Sequence, residues 1–124
     1  MAEMDASTSH CDLIAWQAAM ALVEAVYRDT EDFPRREVFG LTAQIRRSAI
    51  SIPSNLAEGA ARNSRKELIH FVGICCGSSA ELQTQLQIAV RLGYLSAEAG
   101  CIGETARVAR LVTNLRKSLR PEVS

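Results

Sequence analysis

The most constraining feature of this sequence is a heptad repeat in its second half. Seven apolar or small residues recur there at alternating intervals of four and three: Leu68, Val72, Cys75, Ser79, Leu82, Leu86 and Ala89. A stripe with this spacing runs along one face of an α-helix and packs against other helices. The capping box Ser64-Arg65-Lys66-Glu67 predicts the start of this helix, and Gly93 predicts its end. We therefore expect a helix over residues 65–92.

Three further segments carry stripes with helical spacing. The predicted core stripe of the first helix, which starts after Asp12, is Leu13, Trp16, Met20, Val23 and Tyr27. That of the second, over residues 36–58, is Leu41, Ile45, Ala49, Ile52 and Leu56. That of the last, which follows Ser96, is Thr105, Val108, Val112, Leu115 and Leu119. No segment shows the period of two typical of strands. The sequence therefore predicts an all-α, antiparallel up-down four-helix bundle.

Small and helix-breaking residues qualify this prediction. Pro53 removes one backbone hydrogen bond, and because the apolar stripe keeps its phase across it we expect a kink, with a full break as the alternative. Gly59 is the predicted C-terminal cap of the second helix. Gly73 and Gly77, one turn apart, allow another helix to approach closely, either within the chain or from a second subunit.

The first helix is apolar around most of its circumference. Gln17 and Glu24 are the polar residues between positions 13 and 27, and they lie on one line. A helix of this kind has to be buried on more than one side. We therefore expect the chain to assemble with further copies of itself.

The chain of 124 residues is 48% apolar and 23% charged, which is ordinary for one globular domain. We divide it into a flexible tail, residues 1–11, and a bundle domain, residues 12–120. It shows neither a signal peptide nor an apolar run long enough to span a membrane. Cys75 and Cys76 are adjacent, which suits neither a disulfide framework nor a zinc motif. We expect a cytoplasmic protein whose reduced cysteines pack in the core.

The net charge is zero, but the charges are unevenly distributed. Residues 1–34 hold seven acids and one base, whereas residues 35–124 hold thirteen bases and seven acids. Basic residues cluster at the two ends of the second helix: Arg35, Arg36, Arg62, Arg65 and Lys66. The excess of positive charge in residues 35–124 favours binding of a polyanion, so these five are the candidate nucleic-acid-binding residues. The alternative is that they are ordinary solvated charges.

A polar stripe on the second helix is the other candidate site. It consists of Gln44, Arg46, Arg47, Ser51, Ser54, Asn55 and Glu58. Serine and asparagine are weak helix formers, so their presence needs a reason other than helix propensity. The stripe is either a buried polar network that faces Glu81 and Gln85 of the third helix, within or between subunits, or a ligand surface.

Residues for catalysis are scarce. Glu67-x-x-His70 has the form of half a di-iron site, but the second motif and the further glutamates that such a site needs do not occur. Phosphate-binding, nucleophile-elbow and zinc-protease motifs do not occur either. We expect no enzyme, no metal and no cofactor.

Three stretches resemble one known family: FPRREVFGLTAQIRRSAISIPSNLAEGAAR (residues 33–62), GSSAELQTQL (77–86) and LGYL (92–95). The family is that of the proteins encoded in intervening sequences of 23S ribosomal RNA genes. The resemblance covers residues 12–119, although the family more often has an acid where Gln83 stands. It implies a four-helix bundle in a ring, usually a homopentamer, and a shared network of Arg46, Arg47, Ser51, Asn55, Glu58 and Glu81.

The family is also similar to the accessory protein of diversity-generating retroelements, which is thought to bind nucleic acid and a reverse transcriptase. The resemblance supplies no catalytic residues. The leading hypothesis is a non-enzymatic, ring-forming bundle that binds RNA or a ribonucleoprotein through its basic residues. The alternative is a structural oligomer that scaffolds a protein partner without nucleic acid.

Overall fold

The computed structural model describes residues 6–119, with side chains from Asp12 onward. Its elements are helix α1 (Ala6–Asp29), a 3₁₀ turn (Arg35–Glu37) and helices α2 (Leu41–Ala61), α3 (Arg65–Arg91) and α4 (Gly100–Leu119). No strand occurs within these residues. The all-α prediction with four helices is confirmed. Within the same residues, no helix is long and apolar enough to cross a membrane.

The four helices pack as a closed cycle. Each helix packs against its two neighbours in the order α1–α2–α3–α4, and among residues 6–119 no Cα atoms of the diagonal pairs lie within 8 Å of each other. Asp29, at the end of α1, accepts a hydrogen bond from the backbone N–H of Cys101, in the first turn of α4, at 3.0 Å. Ser51 of α2 likewise meets Ser78 of α3, while Ser48 meets Glu81, so the two helices run in opposite directions. The topology is the predicted up-down bundle.

The predicted stripes of α2, α3 and α4 form the core. All seven residues of the α3 repeat are buried, and so are the five residues of the α4 stripe. On α2 the same holds for Ile45, Ala49, Ile52 and Leu56, while Leu41 packs against them partly buried. These three predictions are confirmed.

The predicted core stripe of α1 is wrong. Leu13, Trp16, Met20 and Tyr27 are 36–53% exposed, and Val23 is half-buried. The core is lined instead by the opposite face of the helix, namely Ala15, Ala18, Ala19, Leu22, Ala25 and Val26. Because α1 is apolar almost all round, the spacing of its large residues did not identify the inner face. The small alanines allow close packing against α2 and α4.

The ends of the helices differ from expectation in three places. Helix α1 begins at Ala6, so the residues from there to position 11, assigned to the tail, are helical, and residues 1–5 lie outside the described part. Helix α2 begins at Leu41 and runs without a break past Pro53 to Ala61. The prediction of Gly59 as a cap is therefore wrong. A Cβ on Gly59 would lie 2.9 Å from the Cβ of Phe71, so this glycine allows α2 and α3 to approach closely.

The end of α3 agrees with the prediction. Gly93 has a φ of +80°, and the backbone N–H of Tyr94 returns to the carbonyl of Ala89 at 2.9 Å. Leu95 is buried behind this turn, and Tyr94 packs against Phe33 with ring centroids 5.7 Å apart. The chain thus reverses in a short loop between α3 and α4.

Candidate functional site

The polar stripe of α2 lies beside α3 and forms a ladder with it. The Ser48 hydroxyl donates to Oε1 of Glu81 at 2.8 Å. The hydroxyls of Ser51 and Ser78 lie 2.8 Å apart. Each step forward along α2 is matched by an equal step back along α3, as expected of antiparallel helices. On this register Gln44 lies opposite Gln85. Glu81 and Gln85 were expected opposite this stripe if it formed a polar network, one of the two alternatives, and the contact between Ser48 and Glu81 agrees with that arrangement.

A groove of about 380 Å³, here called the polar groove, opens above this ladder. Its lining consists of Gln44, Arg47, Ser48, Ser51, Ser78, Glu81 and Gln85. Gln85 is only 8% exposed, and its Oε1 has no hydrogen-bond partner among the described residues. The ladder is therefore a polar network with one open side and one unsatisfied acceptor. It combines features of the two alternatives, a buried network and a ligand surface.

Some residues of the predicted stripe lie elsewhere. Arg46 turns towards α1, where its Nε donates to the Thr30 hydroxyl at 3.0 Å and its guanidinium lies 4.4 Å from the centroid of the Tyr27 ring. Ser54 is exposed on the α1 side of α2. Glu58 forms an exposed ion pair with Arg62.

Asn55 stays with the ladder, because its Nδ2 donates to the carbonyl and the hydroxyl of Ser51. The roles of Ser48 and Ser78 in this ladder were not predicted from the sequence. The signal was present: Ser48 lies four residues after Gln44 and three before Ser51, which is the spacing of a helical face.

A second groove, the apolar groove, runs along the other side of α2. It has a volume of about 370 Å³ and is lined by Trp16, Met20, Val23, Ile50, Pro53, Ser54 and Ala57. It contains most of the α1 stripe that was expected in the core. A continuous apolar surface of this kind is typical of an interaction site.

The two basic ends of α2 are separate, as expected, because α2 has 21 residues and each adds about 1.5 Å. At its N-terminal end Arg35 is exposed, while the Arg36 guanidinium lies 5.9 Å from the centroid of the Tyr94 ring. Asp29, Glu31 and Asp32 precede this end in the chain, so its charge is mixed.

The other basic end, between α2 and α3, has fewer acids. Lys66 and Arg62 are exposed, and the Arg62 guanidinium lies 5.2 Å from the centroid of the Phe71 ring. They line an open groove of about 570 Å³ together with Ser64, Glu67, His70 and Phe71. Arg65 is placed differently, since its Nε donates to the carbonyl of Leu119 at 2.7 Å.

The cysteines with described side chains lie as expected of core residues. Cys75 and Cys101 are fully buried, and Cys76 is half-buried. Burial raises the pKa of Cys75 to about 12 and that of Cys101 to about 12. The Cys75 thiol donates to the carbonyl of Ile52 at 3.3 Å. Among residues 12–119, no group of three or more His, Cys, Asp or Glu side chains is placed to hold a metal ion.

Comparison with known proteins agrees with this architecture. One solved structure similar to this chain is a protein with unknown function from the S23 ribosomal protein family of Bacteroides thetaiotaomicron. The two are 20% identical over 86% of this chain and 98% of that chain, with a TM-score of 0.77, which shows a shared fold. No curated protein matches the chain. The family model of the 23S rRNA-intervening sequence protein matches residues 11–114. Since this match spans most of the sequence, the chain belongs to the 23S rRNA-intervening sequence protein family.

Proposed function

We propose that this protein is a non-enzymatic homo-oligomer that binds RNA, or a ribonucleoprotein, in the cytoplasm through the basic end between α2 and α3. The observation that carries the proposal is the net positive charge there, since Arg62, Arg65 and Lys66 outnumber Glu58 and Glu67. Within residues 12–119 only two ion pairs form, Arg28–Asp29 and Arg62–Glu58. Lys66 lies in the open groove and forms no such pair. Exposed cations beside a helix N-terminus favour phosphate groups.

The apolar groove supports assembly. Trp16, Met20 and Ile50 are each at least 36% exposed in the single chain, and burying their surface against a second copy gains roughly 25 cal/mol per Å². A ring of identical subunits, with the five copies that the family resemblance implies, would repeat each basic end around the assembly. Several weak phosphate contacts then act together through their high effective concentration.

Binding of a labelled single-stranded RNA, measured by fluorescence anisotropy at several salt concentrations, tests the proposal. The double variant Arg62→Glu/Lys66→Glu should bind much more weakly than the wild type. If both residues contact phosphates, the slope of log affinity against log salt should become shallower by at least about 1.4. Arg65 is left unchanged because it holds the end of α4.

The matched control is Arg107→Glu/Arg110→Glu, which reverses the same number of charges on the exposed side of α4. It should retain most of the affinity. Equal weakening by both double variants would mean that only net charge matters, and no binding by the wild type at low salt would contradict the proposal.

The second candidate function is a scaffold for a protein partner without nucleic acid. The apolar groove between α1 and α2 favours it, because such a surface serves a partner helix as well as a second copy. An oligomer that binds no RNA at low salt would favour this function over the first.

A further inference from the structure

The polar groove contains more hydrogen-bond acceptors than the chain itself uses. Glu81 accepts from Ser48 through Oε1, which leaves Oε2 and further lone pairs free. Gln85 lies one turn further along α3, and its buried Oε1 has no partner among the described residues. A buried acceptor without a donor is unfavourable, so this arrangement favours an occupant that supplies N–H groups.

The same groove also offers a cation. Arg47 lines it from α2 and is exposed, and it forms no ion pair with Glu81 although both side chains border the same space. A planar guanidinium stacks on flat rings and pairs with phosphate. The groove thus presents two neighbouring acceptor groups on α3 and a stacking, anion-binding group on α2.

We infer that the polar groove is a binding site for a guanine base. Guanine is the RNA base whose pairing edge carries two adjacent donor groups, N1–H and N2–H₂. These groups of guanine carry three N–H bonds in all. The groove offers them three acceptor oxygens, the two carboxylate oxygens of Glu81 and the free Oε1 of Gln85. Arg47 stacks on the ring or holds the nucleotide phosphate. The groove volume of about 380 Å³ accommodates one nucleotide.

The other bases fit less well. Adenine and cytosine present one amino group beside acceptor nitrogens, and an acceptor that faces Glu81 is repelled. Uracil offers a single N–H between two carbonyl oxygens. Unpaired bases in single-stranded RNA expose these edges to side chains. The inference rests on the proposed RNA binding and adds to it a preference for unpaired guanosine.

The test uses labelled uridine hexamers with guanosine, inosine, adenosine or uridine at one central position. The wild type should bind the guanosine hexamer about tenfold or more tightly than the adenosine one, the range of a bidentate base contact. Inosine, which lacks the N2 amino group, should lose part of this preference. Gln85→Leu and Glu81→Gln should reduce the preference, taken for each variant as the ratio of its affinities for the guanosine and adenosine hexamers, to less than about twofold.

Controls separate the groove from the fold. Gln87→Leu changes an exposed glutamine on the same helix, and Glu98→Gln changes an exposed glutamate in the α3–α4 loop, so both should keep the guanosine preference. Gln85→Leu should not lower the melting temperature, because it removes an unsatisfied buried group. A titration with free GMP, followed by NMR of the Gln85 side-chain amide, should shift this signal, whereas AMP should not.

Each outcome bears on the two proposals separately. Equal affinity for all four hexamers would overturn the guanine site but leave the RNA-binding proposal standing. No RNA binding together with a GMP shift would overturn the RNA-binding proposal and support the site. A Gln85 amide that is unaffected by GMP, or that shifts only with protein concentration because a second copy fills the groove, would overturn the inference.

Discussion

Arg65, in the first turn of α3, donates its Nε–H to the carbonyl oxygen of Leu119, the last residue of α4, at 2.7 Å. A second nitrogen of the guanidinium reaches the carbonyl of Ser118 at 3.3 Å. The last carbonyls of a helix have no partner within the helix, and a cation there also complements the helix dipole. Arg65 therefore joins α3 to α4. The group that does so, its guanidinium, is the one that was expected from the sequence to bind phosphate.

The variant Arg65→Ala should lower the stability of the bundle. Loss of a charged hydrogen bond costs about 1.5–3 kcal/mol when the acceptor is left unpaired, less where water replaces the donor. A shift of several degrees in the thermal unfolding midpoint, measured by circular dichroism, is expected. Lys66→Ala, which removes an exposed cation from the same turn, is the control and should leave the midpoint within about one degree of the wild type.

Gly59 gives a second prediction about stability. A methyl group at this position would lie 2.9 Å from the Cβ of Phe71 and 3.1 Å from Cδ1 of Leu68. The first of these atoms is attached to the backbone of α3 and cannot turn away. Gly59→Ala should therefore destabilise the protein by about 1–3 kcal/mol in a urea titration, in spite of the better helix propensity of alanine.

Gly77→Ala is the matched control. Apart from its chain neighbours and the adjacent backbone of α3, no atom of the described chain lies within 4 Å of a Cβ placed there. Alanine should stabilise α3 at this position by up to about 1 kcal/mol. If Gly77→Ala destabilises the protein instead, a second subunit approaches α3 at this glycine, which is the other alternative that the sequence left open.

How far the sequence predicts the fold depends on the polar residues of each helix. On α2, α3 and α4 a distinct polar face opposes the apolar stripe, so residues such as Ile52 and Val112 could be assigned to the core. Between positions 13 and 27, helix α1 has only Gln17 and Glu24 to mark its outer side, and large residues such as Trp16 occupy much of the remainder. The spacing was right for a helix, but it held no information about which apolar face is inside.

The site could be predicted only in part, for a similar reason. The sequence placed Gln44 and Ser51 on one face, because a helical face follows directly from spacing, and it put Glu81 opposite them only as one of two alternatives. It could not show that Arg46 reaches across to Tyr27 or that Ser48 meets Glu81. Long side chains at the edge of a stripe can turn to either neighbouring helix, and contacts between helices depend on a register that the loops determine.

The two fully buried cysteines predict a loss of stability in alkali. Burial raises the pKa of Cys75 and of Cys101 from 9.0 to about 12. Between these values the thiols ionise in the unfolded chain but stay protonated in the fold, so the unfolded state gains stability as pH rises. Each thiol should reduce the free energy of unfolding by up to about 1.4 kcal/mol per pH unit over this window.

Urea titrations at several pH values between 8 and 11, in the presence of a reducing agent, test this. Cys75→Ala should be less stable than the wild type at pH 8 but should lose stability less steeply as pH rises. Cys76→Ala, at the half-buried neighbouring position, serves as the control. Identical slopes for the wild type and Cys75→Ala, or rapid labelling of Cys75 by a thiol reagent in the native state, would contradict the assignment of this thiol to the core.

The exposed face of α1 predicts how assembly can be observed. Trp16 is the single tryptophan of the chain and lines the apolar groove, where it is 36% exposed. If a second copy covers this groove, tryptophan emission should shift to shorter wavelength as the protein concentration rises through the association range.

Met20→Glu places a charge in the same groove and should produce a folded monomer by light scattering after gel filtration, because burial of an unpaired charge opposes association. Gln17→Glu introduces the same charge at an exposed α1 residue that does not line the groove, so it should keep the assembly. A wild-type protein that is monomeric at micromolar concentration, with unchanged tryptophan emission, would show that this face is not a contact between copies.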